Sequence, residues 1–263
     1  MNKIIQGDCL EEMKNIADGS IDMILCDLPY GTTACKWDTI IPFEPLWEQY
    51  KRIIKDNGAI VLTASQPFTS SLVMSNIDMF RYELIWHKNS SGGFALAKRR
   101  PMKYHENILV FSKKQTQYNP QFQDYSESTK KRFKDGEKTN RSKQVESSTN
   151  QIQKGLSFVG EQPILLKRGK YPESIQKFNN TSNTKRLHPT EKPVKLFEYL
   201  IKTYTNEDNL ILDNCAGSGT TGVACQNLNR NYILIEKEPE YIEVIKKRLT
   251  GDNFLHNPAK MVK

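Results

Sequence analysis

The sequence predicts an α/β fold in which a doubly wound, mostly parallel sheet carries an inserted region. Short apolar segments alternate with helix-like segments from the N-terminus to about residue 112, and the alternation resumes near residue 188. Between these parts lies a polar, strongly basic segment that does not follow the pattern. Alternating strands and helices are typical of parallel sheets with helices on both faces.

The N-terminal part supplies five predicted strands and one clear helix. The strands are short, rich in Ile, Val, Leu or aromatic residues, and bounded by turn residues. They span 3–6, 21–26, 59–64, 82–87 and 107–112. Apolar residues follow helical spacing from Leu46 to Ile54, and Gly58 is expected to end that helix.

The C-terminal part continues the alternation. Helices are predicted over 193–203, 220–228 and 239–249, and strands over 210–214 and 232–236. We therefore expect 1–112 and 188–250 to form one α/β domain, followed by a C-terminal tail at 251–263.

Residues 113–187 are predicted to form the inserted region. It holds sixteen Lys and Arg against seven Asp and Glu, a net charge of +9, whereas the rest of the chain carries −1. Neutralising phosphates releases counterions, so concentrated positive charge favours a nucleic-acid partner. The alternative is a lysine-rich loop that contacts only solvent.

Composition excludes several classes of protein for these 263 residues. No apolar run reaches the ~18 residues of a membrane span. The N-terminal sequence lacks the features of a secretory signal, so we expect a cytoplasmic protein without membrane attachment. The five cysteines are scattered and lack CxxC spacing, which indicates neither a disulfide framework nor a metal site.

A strand that ends in a glycine turn is the first candidate site. The run LILDNCAGSGTTG contains a predicted strand ending at Asp213, a turn through Gly217 and Gly219, and the start of a helix. Glycines let the backbone approach a ligand where doubly wound sheets bind nucleotides. Glu236 ends the next strand, and a carboxylate there can accept hydrogen bonds from ribose hydroxyls. The pattern predicts nucleoside binding, although it is neither a phosphate loop nor a complete dinucleotide fingerprint.

The second candidate site is the segment CDLPYG after the strand 21–26. It offers the Asp27 carboxylate, the Leu28 carbonyl followed by Pro29, and the ring of Tyr30. These groups suit a flat heterocycle with an exocyclic amine, because two acceptors can take the amino hydrogens while the ring stacks on the base. The alternative, which this segment alone favours, is an ordinary strand followed by a Pro-Tyr turn.

Together the segments resemble the amino-methylating DNA methyltransferases that use S-adenosylmethionine, the N6-adenine and N4-cytosine family. The family's catalytic motif is Asp/Asn/Ser-Pro-Pro-Tyr/Phe/Trp, and this chain has DLPY. Further segments that resemble the family, in family order, are QGDC at 6–9, LIWHK at 84–88, HENILVF at 105–111 and HPTEKP at 188–193. The motif order resembles that of the beta group, in which a recognition domain lies between the catalytic motif and the cofactor glycines.

The resemblance implies a Rossmann-like methyltransferase fold in which 113–187 is the DNA target-recognition region. Leu28 departs from the family's first proline. Because that position is expected to supply a backbone carbonyl, the change of side chain is expected to be tolerated.

The resemblance also implies the site residues. The catalytic ones are Asp27, Leu28, Pro29 and Tyr30. S-adenosylmethionine is expected to bind at Asp8, Cys9, Asp27, His188, Thr190, Lys192, Asp213, Asn214, Cys215, Ala216, Gly217, Ser218, Gly219, Thr220 and Glu236. DNA is expected to contact Lys130, Lys131, Arg132, Lys134, Lys167, Arg168 and Lys170. For Asp8 and His188 the alternative is an ordinary turn residue or helix cap.

The expected reaction is site-specific methylation of adenine N6 in double-stranded DNA, with the target base flipped out of the helix. Asp27 at the first motif position favours adenine, since cytosine enzymes often carry Ser there. N4-cytosine methylation is the first alternative, and an RNA or protein amide methyltransferase is the second. The third is a DNA-binding protein with an inactive methylase core. A homodimer and a cognate restriction enzyme stay open as partners.

Overall fold

An eight-stranded sheet organises the larger of two compact units. The structure, a computed structural model, describes residues 2–32, 35, 38–128, 169–181, 187–188 and 190–251. The larger unit comprises Met1–Asn119 and Glu173–Lys263, and the smaller unit is Pro120–Pro172.

The sheet of the larger unit is mostly parallel. Its strands are β1 (Lys3–Gln6), β2 (Ile21–Cys26), β3 (Ile54–Ala64), β4 (Phe80–Gly92), β5 (Lys103–Phe111), β6 (Ile175–Lys177), β7 (Leu210–Asp213) and β8 (Asn231–Glu236). Their order is β1-β8-β7-β2-β3-β5-β4-β6. Five of the seven neighbouring pairs are parallel, and β5 runs against both of its neighbours.

Helices cover both faces of this sheet. In the described residues they are α1 (Cys9–Glu12), α2 (Phe43–Ile53), α3 (Phe68–Ser75), α4 (Val194–Tyr204), α5 (Thr220–Asn227) and α6 (Pro239–Thr250). Short 3-10 helices span Met13–Asn15 and Phe94–Leu96. The arrangement confirms the predicted doubly wound, mostly parallel sheet.

The residues of β2 show why two helical layers are needed. Ile24 and Cys26 pack in the core formed with α2 and α3, whereas Met23 and Leu25 pack in the core formed with α4, α5 and α6. All four side chains are fully buried. Successive strand residues point to opposite faces, so a strand that is apolar at every position needs a helical layer on each side.

Several elements differ from the prediction. Helix α2 ends at Ile53 and β3 begins at Ile54, inside the helix predicted from apolar spacing. Helices α1 and α3 were not predicted. Strand β6 lies within the segment predicted as an insertion, yet it pairs in parallel with β4. Strand β6 has only three residues, and its neighbours in sequence are mostly polar, so the pattern is too short to predict a strand.

In the described part of the smaller unit, two strand-like segments pair. Gln123 and Lys170 exchange backbone hydrogen bonds of 2.9 and 2.7 Å, and the rings of Phe122 and Tyr171 lie 5.0 Å apart. Lys170 is an exposed residue. The other predicted DNA contacts lie outside the described residues; they are Lys130, Lys131, Arg132, Lys134, Lys167 and Arg168.

No helix in the described residues is long and apolar enough to cross a membrane.

Candidate active site

The carboxyl ends of β1, β8, β7 and β2 meet at one edge of the sheet, because these strands are parallel neighbours. A cavity of about 610 Å³ opens at this edge. The predicted site residues that line it are Asp8, Cys9, Asp27, Leu28, Pro29, Tyr30, His188, Thr190, Lys192, Asp213, Asn214, Cys215, Ala216, Gly217, Ser218, Thr220 and Glu236. Gly219 is the one predicted site residue of the larger unit that does not line it. The fold thus joins both candidate segments in one site.

The turn after β7 depends on its two glycines. Gly217 and Gly219 have φ values of +51° and +79°, in the left-handed region that other residues rarely adopt. A Cβ on Gly217 would lie 3.5 Å from the His188 ring, and one on Gly219 would lie 3.1 Å from Ile245 of α6. Gly219 therefore serves the packing of α6, whereas Gly217 borders the cavity.

Asp213 fixes this turn from inside. Its carboxylate accepts hydrogen bonds from the Cys215 amide, at 3.1 Å, and from the Thr221 hydroxyl. Burial raises the pKa of Asp213 to about 7. The Tyr50 hydroxyl of α2 donates to Asn214 Oδ1 at 2.6 Å, so helices from both layers hold the turn.

Glu236 connects the end of β8 to the same turn. Its carboxylate accepts hydrogen bonds from the Gly217 amide at 2.7 Å and from the Glu238 amide at 2.9 Å. Burial raises the pKa of Glu236 despite these bonds. A carboxylate has about four acceptor positions, so the side chain keeps capacity for ligand hydroxyls.

Asp27, directly after β2, is held by three different elements. Its Oδ1 accepts hydrogen bonds from the Tyr30 hydroxyl, at 2.7 Å, and from the Thr63 hydroxyl. Its Oδ2 pairs with Lys192 Nζ at 2.5 Å. Thr63 belongs to β3, the neighbour of β2, so the sheet itself fixes this contact. The carboxylate consequently has one defined orientation in the cavity.

Lys192 is a buried cation between two carboxylates. It is 6% exposed, and its Nζ lies 3.6 Å from Glu106 Oε2 as well as next to Asp27. Burial opposes the charge, but Asp27 and Glu106 outweigh burial and raise the pKa of Lys192. Glu106 lies near the start of the antiparallel strand β5 at this edge and also pairs with Lys88 of β4. Burial opposes ionisation of Glu106 too, yet the two lysines lower its pKa.

Tyr30 orients Asp27 and packs on a second aromatic ring. Its ring centroid lies 5.2 Å from that of Phe68, with 25° between the planes. Burial raises the pKa of the Tyr30 hydroxyl, which therefore keeps its proton and donates it to Asp27. Lys192 Nζ lies 5.6 Å from the ring centroid.

Leu28 has a packing role in addition to its backbone. Its side chain is 3% exposed and belongs to the core formed with α2 and α3. The role predicted from the sequence was that of the carbonyl alone, because burial after a strand end is not visible in the pattern.

The loop after Tyr30 is held by Asp38. The Asp38 carboxylate accepts hydrogen bonds from the amides of Gly31 and Thr32, both at 2.9 Å. Gly31 has a φ of +67°, so the chain turns sharply here.

His188 lies over the glycine turn. Its ring centroid is 4.4 Å from that of Tyr241, and its Nδ1 accepts a hydrogen bond from the Thr190 amide at 3.3 Å. Burial lowers the pKa of His188 to about 4, so the ring is neutral near pH 7.

Glu191 joins this segment to the glycine turn and α6. Its Oε1 pairs with Arg248 at 3.1 Å, and its Oε2 accepts a hydrogen bond from the Ser218 hydroxyl at 3.2 Å. The sequence pattern singled out neither Glu191 nor Arg248.

Asp8 and Cys9 line the cavity where α1 begins. Asp8 caps α1 by accepting a hydrogen bond from the Leu10 amide at 3.0 Å, and its carboxylate lies 3.5 Å from Lys237 Nζ. Cys9 is buried. The cap that was weighed as an alternative for Asp8 is thus present, in a residue that also borders the cavity.

The chain resembles known proteins along most of its length. A family model described as DNA methylase, covering N6- and N4-methylating enzymes, matches residues 21–247. The type II methyltransferase M2.MboI of Moraxella bovis is 29% identical over 271 residues, which cover 93% of this chain and 86% of that protein. The DNA adenine methyltransferase YhdJ of Escherichia coli strain K12 is 28% identical over 262 residues, which cover 94% of this chain and 82% of that protein.

A solved structure has a similar fold. The complex of M1.HpyAVI with S-adenosylmethionine superposes with a TM-score of 0.61 at 25% identity. The match covers 95% of this chain and all of that one.

Proposed function

The chain belongs to the N6/N4 DNA methylase family, and we propose from this that it methylates N6 of an adenine in double-stranded DNA. It is a DNA methyltransferase whose cofactor is S-adenosylmethionine. One observation carries the assignment of the reacting groups. Asp27, held by three donors, opens into the same cavity as the Gly217 turn and Glu236.

The residues around the turn fit S-adenosylmethionine. The cavity of about 610 Å³ is within the usual range for cofactor sites. Gly217 leaves room for a close approach, and the free acceptor positions of Glu236 suit ribose hydroxyls. Bound there, S-adenosylmethionine supplies a methyl group on a sulfonium centre. Asp213 lines the cavity and also fixes the backbone of the turn, because its carboxylate accepts hydrogen bonds from the Cys215 amide and the Thr221 hydroxyl.

Asp27 and the Leu28 carbonyl act on the target amine. They accept hydrogen bonds from its two N–H groups, which makes the nitrogen more tetrahedral and exposes its lone pair. Positive charge develops on the nitrogen as it gains the methyl group, and the Asp27 carboxylate stabilises that charge. The sulfur–methyl bond would break as the new bond forms, with its electron pair kept by the sulfur, and the nitrogen then passes one proton to the Asp27 carboxylate and on to water, which leaves a neutral secondary amine.

Lys192 allows Asp27 to exchange partners. Asp27 Oδ2 is paired with the ammonium, whereas Glu106 Oε2 is buried and has no hydrogen bond within the described residues. When the target amine donates to Asp27, the ammonium moves toward Glu106 and stays paired. A buried cation that kept no carboxylate would cost several kcal/mol, so Glu106 makes the exchange inexpensive.

The target base must leave the duplex to reach Asp27, because an amine within the base pair cannot approach this edge of the sheet. Tyr30 lines the cavity next to Asp27. One side of its ring packs on Phe68, and we assign the remaining surface to the flipped base.

Two features favour adenine over cytosine as the target. The first motif residue is Asp27, whereas the cytosine enzymes that the sequence resembles often carry Ser. The E. coli relative is named a DNA adenine methyltransferase. The family model also covers N4-cytosine enzymes, so N4-cytosine methylation is the second candidate.

Nucleoside analysis tests the proposal. The purified protein is incubated with unmethylated bacterial DNA and S-adenosylmethionine, and the digested DNA is examined by mass spectrometry. We expect N6-methyl-2′-deoxyadenosine. N4-methyl-2′-deoxycytidine would instead select the second candidate, and the absence of both products would contradict DNA methylation.

A further inference from the structure

The connection between β4 and β5 projects from the rim of the cavity with apolar side chains exposed. Every residue from 92 to 102 is exposed, and Phe94 is 83% exposed. Leu96, Met102 and Tyr104 add further exposed apolar surface to the same hairpin. Single exposed apolar residues are common, but a group of four on one hairpin indicates a binding surface.

The same connection is strongly basic. Residues 92–103 contain Lys98, Arg99, Arg100 and Lys103 and no Asp or Glu. Among the described residues, Lys98, Arg99 and Arg100 form no ion pair. Burial lowers the pKa of Lys103, and repulsion by Lys88 and Arg100 lowers it further. Lys88, Arg100 and Lys103 are therefore close enough to repel one another, and a polyanion would relieve that repulsion.

The base of the hairpin is fixed to the active site. Lys88 of β4 and Lys103 of β5 both line the cavity, and Lys103 Nζ donates a hydrogen bond to Ser65. Asn180 Nδ2 donates to Ser90 Oγ at 2.8 Å and braces β4. From Lys88 to Gly92 a strand extends roughly 13 Å. The exposed residues 92–102 therefore follow directly on two strands whose residues Lys88 and Lys103 line the cavity.

We propose that this hairpin tip is a DNA contact in which Lys98, Arg99 and Arg100 bind phosphates and Phe94 inserts into the base stack beside the target. The inference rests on the proposed function, since only a substrate base that must leave the duplex needs such a wedge.

Double-stranded DNA fits this surface better than a protein or a membrane. Three adjacent cations without carboxylates match a row of phosphates, whereas protein interfaces usually pair both signs of charge. The exposed ring of Phe94 beside them matches the apolar wedges by which proteins unstack a base step. Gly93, with a φ of +83°, immediately precedes the short 3-10 helix Phe94–Leu96, and Phe94 at its first position is 83% exposed.

Salt dependence of binding tests the phosphate contacts. The affinity of a labelled duplex is measured by fluorescence anisotropy at several salt concentrations for the wild type and for K98Q/R99Q/R100Q. If all three cations meet phosphates, the log–log slope should become shallower by roughly 2 to 3 units. The matched control is K3Q/K51Q/K202Q, which removes three exposed cations from the opposite edge of the sheet, where β1 begins and α2 and α4 end. An unchanged slope in the hairpin variant, or an equal change in the control, would overturn the phosphate contacts.

Methylation of paired and mismatched targets tests the wedge. Phe94→Ala should lower kcat/KM on a fully paired duplex by roughly 10-fold or more. On the same duplex with a mismatch at the target, where unstacking costs less, the kcat/KM of this variant should return to near the wild-type value. Phe94→Leu should stay near the wild type, because leucine also serves as a wedge. Calorimetric titration with S-adenosylmethionine confirms that each variant keeps its cofactor site.

The outcomes separate this inference from the proposed function. A wild-type protein that methylates neither duplex contradicts the proposed function. A wild type that methylates both, with Phe94→Ala equally active on the paired duplex or equally impaired on both, overturns the wedge.

Discussion

Lys192 Nζ lies 2.5 Å from Asp27 Oδ2 and 3.6 Å from Glu106 Oε2, so one buried ammonium joins the carboxylate after β2 to that near the start of β5. Asp27 and Lys192 are 165 residues apart in sequence. Sequence resemblance assigned Lys192 to the cofactor, whereas the structure shows its ammonium on the motif carboxylate. We therefore regard Lys192 as a positioning residue for Asp27.

Replacing Lys192 should lower turnover without weakening the cofactor site. Lys192→Met is expected to lower kcat about 100-fold, because the Asp27 carboxylate loses the ammonium that holds its Oδ2. Lys192→Arg keeps the charge and should recover most of the wild-type kcat. The affinity for S-adenosylmethionine, measured by calorimetry, should stay unchanged in both variants. A loss of cofactor affinity in Lys192→Met as large as its loss of kcat would refute the positioning role.

Glu106→Gln tests the exchange of partners separately. With no second carboxylate, Lys192 stays on Asp27 and competes with the target amine. We expect kcat to fall about 10-fold while the affinity for S-adenosylmethionine, measured by calorimetry, stays unchanged. A loss confined to cofactor affinity would place Glu106 in the cofactor site instead.

Two substitutions of Leu28 distinguish the role of its backbone carbonyl from the packing role of its side chain. Leu28→Pro should keep kcat, because the carbonyl is retained, but should lower the free energy of unfolding by about 1 to 3 kcal/mol through lost core packing. Leu28→Ala serves as the control that keeps the backbone and removes the side chain, with a cost of about 2 to 5 kcal/mol. Urea unfolding and steady-state kinetics measure both quantities. A folded, cofactor-bound Leu28→Pro protein without activity would show that the side chain itself acts in the reaction.

Gly217→Val should abolish binding of S-adenosylmethionine. The new side chain would stand where the turn borders the cavity, at a φ of +51° that adds backbone strain. Gly19→Val is the matched control, because Gly19 has a φ of +56° and a Cβ added there would meet no atom within 4 Å. Both variants should lose about 1 to 2 kcal/mol of stability, but only Gly217→Val should lose the calorimetric signal for the cofactor. Loss of that signal in both variants would show that backbone strain, and not a side chain in the cofactor site, prevents binding.

His188 should make stability fall on the acid side. Its pKa is about 4 in the folded protein, lowered chiefly by burial, against about 6.5 for an exposed histidine. The unfolded chain therefore binds the proton first, and stability decreases as the pH falls from 6.5 toward 4, by at most about 3 kcal/mol from this residue. His188→Gln should show a smaller decrease in urea unfolding between pH 7 and 4.5. An equal loss of unfolding free energy between pH 7 and 4.5 in the two proteins would contradict the lowered pKa of His188.

The sequence was sufficient for the parts of the fold that repeat a regular pattern. Strands β1, β2, β7 and β8 lie where apolar runs predict them, because each is short, contains consecutive apolar residues and is followed by a turn. Their parallel pairing places Asp27 and Gly217 at one edge, which is why two distant motifs could be assigned to one site.

The sequence was insufficient where the site depends on pairing across strands. Glu106 and Lys88 meet because β5 runs antiparallel to β4, and no periodicity encodes that register. Thr63 lies within a predicted strand, and the sequence does not indicate that its hydroxyl contacts Asp27. A polar residue at the end of an otherwise apolar strand, as in β3, was the available signal.

Mapping of modified bases tests the central claim most directly. The gene for the wild type and that for Asp27→Ala, which removes the acceptor oxygens, are each expressed in a methylation-free host, and the DNA is read by single-molecule sequencing. We expect N6-methyladenine within one short sequence motif for the wild type and none for Asp27→Ala, whose purified form still binds S-adenosylmethionine. Modification that persists in Asp27→Ala, or no modified adenine with the wild type, would contradict the assignment of Asp27 to the target amine.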